Sequence, residues 1–326
     1  TKREIKKLLP EISKGNIHSN IVLEKIKLTI LGSGSALPTK NNFHASQVFE
    51  LRGRRYMIDC GEGAQIKLNQ YKVNLSRLDN IFISHLHSDH CIGLMGLIST
   101  LAMLGRKTDL NIYAYKDLKE IISPMLKYFS DDDSFNVVFH DINPSQKAVI
   151  YEDKGLKVST IPLKHRVPTC GFLFEEQQGE RHLIKSMIEA FDIPIKDLKA
   201  IKQGADFIDK EGFIVSNERL TTPADPIRKY AYISDTLYTE KIIYQIAEAD
   251  ILFHESTFVD DDRQRAKETL HTTALQAAQI ARKANVKQLI LGHFSARYRD
   301  KKPFLKEAKS IFENTILAED GLQLEF

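Results

Sequence analysis

Residues 84–90 read S-H-L-H-S-D-H and place four potential metal ligands, His85, His87, Asp89 and His90, within six positions. They follow an apolar strand pattern, NIFIS, and precede a helical one, so the cluster sits on a strand-to-helix loop. Alternate residues of an extended backbone point the same way, and His85 and His87 can therefore converge on one ion. Once the chain turns into the helix, the adjacent pair Asp89 and His90 can face a second. Imidazole and carboxylate donors without a thiolate suit zinc, with manganese or iron as alternatives. So short a segment cannot complete two coordination shells, and further ligands are required at the ends of later strands. Three candidates stand there: His165 after LKVSTIPLK, Asp235 after KYAYIS and His293 after QLILG. Each alone would read as a packed or capping residue; together, in a chain with 11 histidines, they read as a set. Asp235 is the natural bridge, because each carboxylate oxygen can serve one metal.

These donors need a frame that gathers distant strand ends. From Lys27 the chain alternates short β-branched or aromatic runs, KLTILGSGS, SQVFEL, RRYMIDCG and NIFISH, with helical patterns at 63–70, 92–104 and 117–129. A second series follows, VVFHDI, AVIYED, LKVSTIPLKH and CGFLFEE, and then a charged helical stretch over 182–203. Strands resume as RKYAYISDT, DILFHEST and QLILGHF, with helices expected over 239–249 and 275–284. Two β-rich halves that each close with helices predict an α/β protein whose two mixed sheets pack face to face, helices outside. No internal repeat is visible. The Pro-marked polar stretch 177–228 reads as an insertion in a single domain spanning 27–326, and residues 1–26 as an N-terminal appendage.

The chain has 326 residues, 42% hydrophobic and 27% charged, which excludes disorder, collagen and coiled coil. Its longest apolar stretch, 91–105, is shorter than the roughly 18 to 20 residues of a membrane span and carries Ser99 and Thr100. Lys plus Arg number 46 against 43 Asp plus Glu, a net +3 that neither announces nor forbids a nucleic-acid partner. Cys60, Cys91 and Cys170 form no even-numbered framework, so free thiols in a reducing compartment, the cytoplasm, are expected.

His85, His87, Asp89 and His90 also match H-x-H-x-D-H, the signature of the metallo-β-lactamase superfamily, and within it the chain resembles the tRNase Z, or ribonuclease Z, family. The matching motifs are L-G-S-G-S-A-L-P-T at 31–39, D-C-G-E-G-A-Q at 59–65, P-L-K-H-R-V-P-T-C-G-F at 162–172, S-D-T at 234–236 and G-H-F-S-A-R-Y at 292–298. H-E-S-T at 254–257 and H-T-T at 271–273 resemble the family's HEAT and HST elements with one substitution each. General hydrolases of the superfamily share the metal signature and lack this pair. The resemblance extends from about Lys27 onward, and its length fits the short form, which works as a homodimer. It implies a four-layer αββα sandwich, two zinc ions per chain and an endoribonuclease that removes 3′ trailers from precursor tRNA.

Carried over residue by residue, the resemblance places His85, His87 and His165 on one metal and Asp89, His90 and His293 on the other, with Asp235 bridging. Two ions roughly 3.5 to 4 Å apart clamp a phosphodiester and lower the pKa of a water between them to about 7. The family motif puts the proton donor for the leaving 3′ oxygen at His271, held and kept charged by Glu255, and has Asp89 orient the attacking water. Asp59 reads as a residue that orients a ligand histidine, and Gly32, Gly34, Gly61 and Gly63 as tight turns beneath the site. Ser295, Arg297 and Tyr298 follow the last ligand and are candidates for holding substrate phosphate, although an Arg there is also commonly a paired surface charge. In the family an arm between the third and fourth motifs grips the tRNA elbow from the partner subunit, with a glycine-proline near its tip. The corresponding residues 193–204 carry Lys196-Asp197 at that position. Lys196, Lys199 and Lys202 fit either phosphate-backbone contacts or the solvated face of an ordinary helix. Chemistry is therefore written more fully than substrate, and a hydrolase of small phosphodiesters or other esters that does not process tRNA is the alternative. The completeness of the ligand set argues against a catalytically silent binding module.

Overall fold

Along the strand Arg54–Cys60 the side chains alternate between two hydrophobic clusters: Tyr56 and Ile58 enter one, Met57 the other. A strand with apolar residues on both faces must lie between two layers. The computed structural model describes residues 25–39, 42–129 and 135–326, so the expected appendage over 1–26 lies outside the described residues apart from Lys25 and Ile26. Six strands come first: β1 (Lys27–Gly32), β2 (Ser46–Leu51), β3 (Arg54–Cys60), β4 (Leu78–Phe82), β5 (Leu110–Tyr115) and β6 (Val137–Ile142). Then come β7 (Val149–Glu152), β8 (Leu156–Pro162) and β9 (Cys170–Glu176). Short strands β10 (His182–Leu183), β11 (Phe207–Ile208), β12 (Ile214–Val215) and β13 (Thr221–Thr222) precede β14 (Lys229–Ile233), β15 (Ile251–Glu255), β16 (Gln288–Gly292), β17 (Thr315–Leu317) and β18 (Gln323–Glu325).

Two compact units result, one formed by Lys25–Glu176 with Arg228–Phe326 and the other including Gln177–Ile227. In the larger unit, one seven-stranded sheet has the order β18-β1-β2-β3-β4-β5-β6 and the other β17-β16-β15-β14-β9-β8-β7. Each sheet starts antiparallel and continues parallel: β1, β2 and β3 pair antiparallel before β4, β5 and β6 run parallel. Likewise β7, β8, β9 and β14 pair antiparallel before β15, β16 and β17 run parallel. Aromatic rings join the sheets, with Phe49 5.1 Å from Phe174 and Phe82 5.5 Å from Phe174 between ring centroids. Leu97 and Leu101 of the helix Leu94–Met103 help cover the outer face of the first sheet, and the helix Ala274–Lys283 packs on β15 and β16. The architecture is the expected α/β sandwich of four layers. Among the described residues no helix is long and apolar enough to cross a membrane.

Three local features shape the site. Gln47 faces Ile58 and Ser46 faces Cys60, which leaves Asp59 as the extra residue of a bulge, with φ 55°. A bulge re-aims a side chain that regular pairing would send elsewhere. Of the four glycines read as turns, Gly63 is left-handed (φ 76°), whereas Gly32 and Gly61 serve close packing: a Cβ on Gly32 would lie 1.9 Å from the His44 carbonyl oxygen. Finally, Asp320 accepts hydrogen bonds from the Ser33 N–H (3.0 Å), the Ser33 hydroxyl (2.9 Å) and the Phe43 N–H (2.8 Å), clasping both ends of the loop that follows β1.

Two expected helices are corrected. Over 239–249 the structure has a single 3₁₀ turn, Glu240–Ile242, followed by turns, and Glu248 is left-handed at φ 59°. Ile242, Ile246 and Ala249 are buried, so the periodicity there marks burial without a helix. The stretch 182–203 divides into β10 and the helices Lys185–Ala190 and Ile195–Lys202, because Pro194 caps the second and Asp192 is left-handed. Within the smaller unit, Ile193, Ile201, Phe207, Val215 and Leu220 form a separate core. Lys196 and Asp197 lie in the first turn of the helix Ile195–Lys202.

Candidate active site

The candidate ligands stand just beyond strand ends: 85–90 after β4, His165 after β8, Asp235 after β14 and His293 after β16. His85 Nε2 lies 3.1 Å from His87 Nδ1 and 3.6 Å from Asp235 Oδ2, while His165 Nε2 is 3.7 Å from the same oxygen. The other oxygen, Oδ1, is 3.4 Å from His90 Nε2 and 3.2 Å from His293 Nε2; those two nitrogens are 3.3 Å apart, and each is 3.5 Å from Asp89 Oδ2. Four donors about 2.0 to 2.1 Å from a tetrahedral zinc sit roughly 3.3 to 3.4 Å from one another. The contacts around Asp89, His90 and His293, 3.2 to 3.5 Å, bracket that spacing, those given for His85, His87 and His165, 3.1 to 3.7 Å, scatter about it, and the Asp235 carboxylate divides between the groups. The residues present therefore fit two divalent ions sharing one carboxylate.

Each group is held from behind. Asp59, fully buried, accepts from the Ser84 N–H (2.7 Å), the Ser84 hydroxyl (2.9 Å) and the Tyr232 hydroxyl (2.7 Å), and meets His90 Nδ1 at 2.7 Å. The Ala36 N–H donates to Asp89 Oδ2 at 2.8 Å, the Leu270 carbonyl takes His165 Nδ1 at 3.0 Å, and Thr257 Oγ1 contacts His293 Nδ1 at 3.0 Å. Ala36, Asp59, Leu270 and His293 are all left-handed, with φ between 38° and 60°. Non-glycine residues rarely adopt this conformation, and here each one bears on a different candidate ligand.

The cluster's charges favour a cation. Burial pushes the Asp235 carboxyl up, but His293, His90 and His85 outweigh it and hold it well below the ordinary range; at Asp89, His90 and His293 likewise overcome burial. Burial, aided by neighbouring imidazoles, lowers the pKa of His85, His87 and His165 toward the neutral donor form. His90 differs: burial opposes its proton, yet the carboxylates of Asp89, Asp235 and Asp59 raise its pKa.

Beside the cluster, Glu255 is fully buried and accepts from the Thr236, Thr257 and Thr272 N–H groups, and its Oε1 meets His271 Nδ1 at 3.1 Å. Burial pulls the His271 imidazole down, but the Glu255 charge and hydrogen bond outweigh it and push its pKa up to about 9. His271 also comes within reach of Asp235 and His293 as a third ligand group. The bond to Glu255 and the raised pKa fit a proton donor better than a donor to a metal. Both residues line or support a cleft of about 630 Å³ that Ser295 and Arg297 also line. Arg297 points partly to Asp262 (3.6 Å) and lies 5.7 Å from the Phe258 ring, and the Tyr298 hydroxyl bonds Asp262.

A family model described as "Anti-Pycsar protein Apyc1" matches residues 26–187, just under half of the chain. A ribonuclease Z of Bacteroides fragilis is 52% identical over 300 residues, 92% of this chain and 99% of the relative. The chain belongs to the ribonuclease Z family. Among solved structures, human tRNase Z, short form, covers 91% of this chain and 98% of its own at 24% identity and a TM-score of 0.66. YhfI of Bacillus subtilis, a metallo-β-lactamase fold protein, is 20% identical with a TM-score of 0.64, covering 93% and 100% of the two chains. Both show the same fold.

Membership of the ribonuclease Z family leaves some residues of the cleft to the structure alone. Arg166 and Arg265 line it. Arg166 stands in the motif at 162–172 beside His165, where its position was the available signal, but Arg265 comes from the helix Arg263–Thr269, which the sequence reading missed. Thr257 is a second omission: its hydroxyl contacts Glu255 Oε2 (2.9 Å), His271 Nδ1 (3.2 Å) and His293 Nδ1 (3.0 Å), linking the candidate acid to a candidate ligand. The three arm lysines lie in the smaller unit. Lys196 and Lys199 are exposed, and Lys202 lies 3.8 Å from Glu180.

Asp59 meets His90 at Nδ1, while His90 Nε2 faces Asp235, and so fixes the ring without belonging to either candidate ligand group. Asp59→Asn is expected to weaken metal retention about 10- to 100-fold, the range typical for residues that orient a ligand histidine. Competition against a chelator, followed by elemental analysis, measures this; retention equal to the unaltered protein would contradict it.

Proposed function

We infer that the chain is a two-zinc endoribonuclease that removes 3′ trailers from precursor tRNA. The observation that carries this reading is the Asp235 carboxylate divided between two donor groups, with the His271–Glu255 pair at the edge of the same cleft. The ribonuclease Z relatives support the choice of RNA. Two divalent ions held by His85, His87, His165, Asp89, His90, His293 and Asp235 would polarise the scissile phosphate and supply hydroxide near neutral pH. Asp89 accepts a hydrogen bond from the attacking water and orients it. As the bond from phosphorus to the 3′ oxygen breaks, His271 delivers its proton to that oxygen, so the tRNA keeps a 3′-hydroxyl and the trailer a 5′-phosphate. Glu255 keeps His271 charged until then. Arg166, Arg265, Ser295 and Arg297 line the cleft and would hold the phosphate from its walls.

The protein works as a cytoplasmic homodimer, and the inserted stretch 177–228 grips the body of the tRNA through Lys196, Lys199 and Lys202. Backbone phosphates need charge and no particular sequence, which these lysines provide.

Incubation with a precursor tRNA and with bis(p-nitrophenyl) phosphate tests the reading. Both should be cleaved, and His271→Ala should keep its metal while kcat on RNA falls about 10²- to 10⁴-fold. Cleavage of the ester alone would instead favour a small-phosphodiester hydrolase.

Glu255 raises the pKa of His271, and the acid is active below that pKa. Glu255→Gln lowers it, so kcat should begin to fall at a lower pH as the pH rises; a pH profile with an unmoved upper limb would contradict the role of the pair.

Replacing the three lysines with Ala should weaken tRNA binding and reduce the slope of log K against log salt by roughly 0.7 to 0.9 per lost contact. Binding measured over a salt series reads this directly, and an unchanged slope would make them a solvated helix face.

A further inference from the structure

The helix Arg263–Thr269 ends at Leu270, whose φ of 59° and ψ of 47° are left-handed. A branched apolar side chain is an unusual occupant of that region, which glycine and asparagine enter far more readily. The turn is held by the Leu270 N–H to the Lys267 carbonyl (3.3 Å) and by the His271 N–H to the Ala266 carbonyl (2.8 Å). In this conformation the Leu270 carbonyl leaves the helix direction and receives His165 Nδ1 at 3.0 Å. Only a ring protonated at Nδ1 can donate there, which leaves the lone pair of His165 on Nε2, the nitrogen 3.7 Å from Asp235 Oδ2. The next residue is His271, whose Nδ1 meets Glu255. The Leu270 carbonyl belongs to the peptide unit that joins the two residues.

We propose that Leu270 is a positioning residue whose left-handed backbone ties the ligand His165 and the acid His271 to one peptide unit. The proposal rests on the roles given to these two histidines above. A right-handed Leu270 would continue the helix, withdraw the carbonyl from His165 and carry His271 away from Glu255. One pair of dihedral angles thus sets both the tautomer of a ligand and the place of the acid.

Leu270→Asn and Leu270→Gly keep the left-handed turn accessible, whereas Leu270→Val opposes it through its β-branch. The first two should stay within about twofold of the unaltered enzyme in kcat and KM, while the valine variant loses about tenfold or more in kcat at a KM changed less than about threefold. Elemental analysis after dialysis against a chelator should show the valine variant losing metal faster than the other two. Circular dichroism checks folding, and Leu270→Thr repeats the test should the valine variant not fold. Equal activity and metal retention in all variants would overturn the proposal. So would equal impairment of the Asn, Gly and Val variants, which would make the side chain the element that matters. Bis(p-nitrophenyl) phosphate and metal content serve as readouts alongside precursor tRNA, so failure of the unaltered protein on RNA alone would count against the substrate and leave this test intact.

Discussion

The Asp59 carboxylate is the joint on which this molecule depends. A carboxyl group taken fully out of water is costly unless hydrogen-bond partners surround it, and here the Ser84 amide, the Ser84 hydroxyl, the Tyr232 hydroxyl and His90 all do so. Those partners come from just beyond the end of β4, the loop 84–90 and β14 of the opposite sheet. Registration of the two sheets and orientation of His90 are consequently one interaction. If the sheets slid against each other, a buried carboxyl group would lose partners and a candidate ligand would lose its orientation in the same movement.

The same economy appears in the backbone. Ala36, Asp59, Leu270 and His293 each occupy a conformation that costs about 1–3 kcal/mol for a non-glycine residue. Such strain persists only where the surroundings over-determine it. Fourteen strands in two packed sheets provide that rigidity, and strand ends can then present loops in shapes they would not choose alone. Thr257 plays the matching part among side chains, since one hydroxyl serves Glu255, His271 and His293.

What the sequence revealed follows from how local each signal is. Eleven of the fourteen strands in the two sheets were legible because alternation and β-branched runs survive in four to seven residues, whereas β5, β17 and β18 were missed; the cluster 84–90 was legible because its donors are crowded into one loop. His165, Asp235 and His293 were legible by their common place after apolar runs. The bulge at Asp59 was not, since a register shift exists only relative to a partner strand. Nor were the helix Arg263–Thr269 and its Arg265: in R-Q-R-A-K-E-T only Ala266 is buried, so no apolar stripe marks the segment. At 239–249 the reverse happened, and buried residues at helical spacing concealed a run of turns. The shared antiparallel-then-parallel order of the two sheets left no trace in residue identities, because topology constrains pattern far more than composition.

The clasp made by Asp320 on Ser33 and Phe43 has a consequence for the timing of synthesis. The loop it closes carries Ala36, which bonds Asp89, and the candidate ligands themselves are spread from His85 to His293. Contacts separated by so many residues form only after their later partners have left the ribosome. A nascent chain therefore carries the 84–90 loop long before it carries the residues that finish the site. A nuclease built this way stays harmless to the RNA-rich machinery that makes it until the residues around His293 and Asp320 have been added.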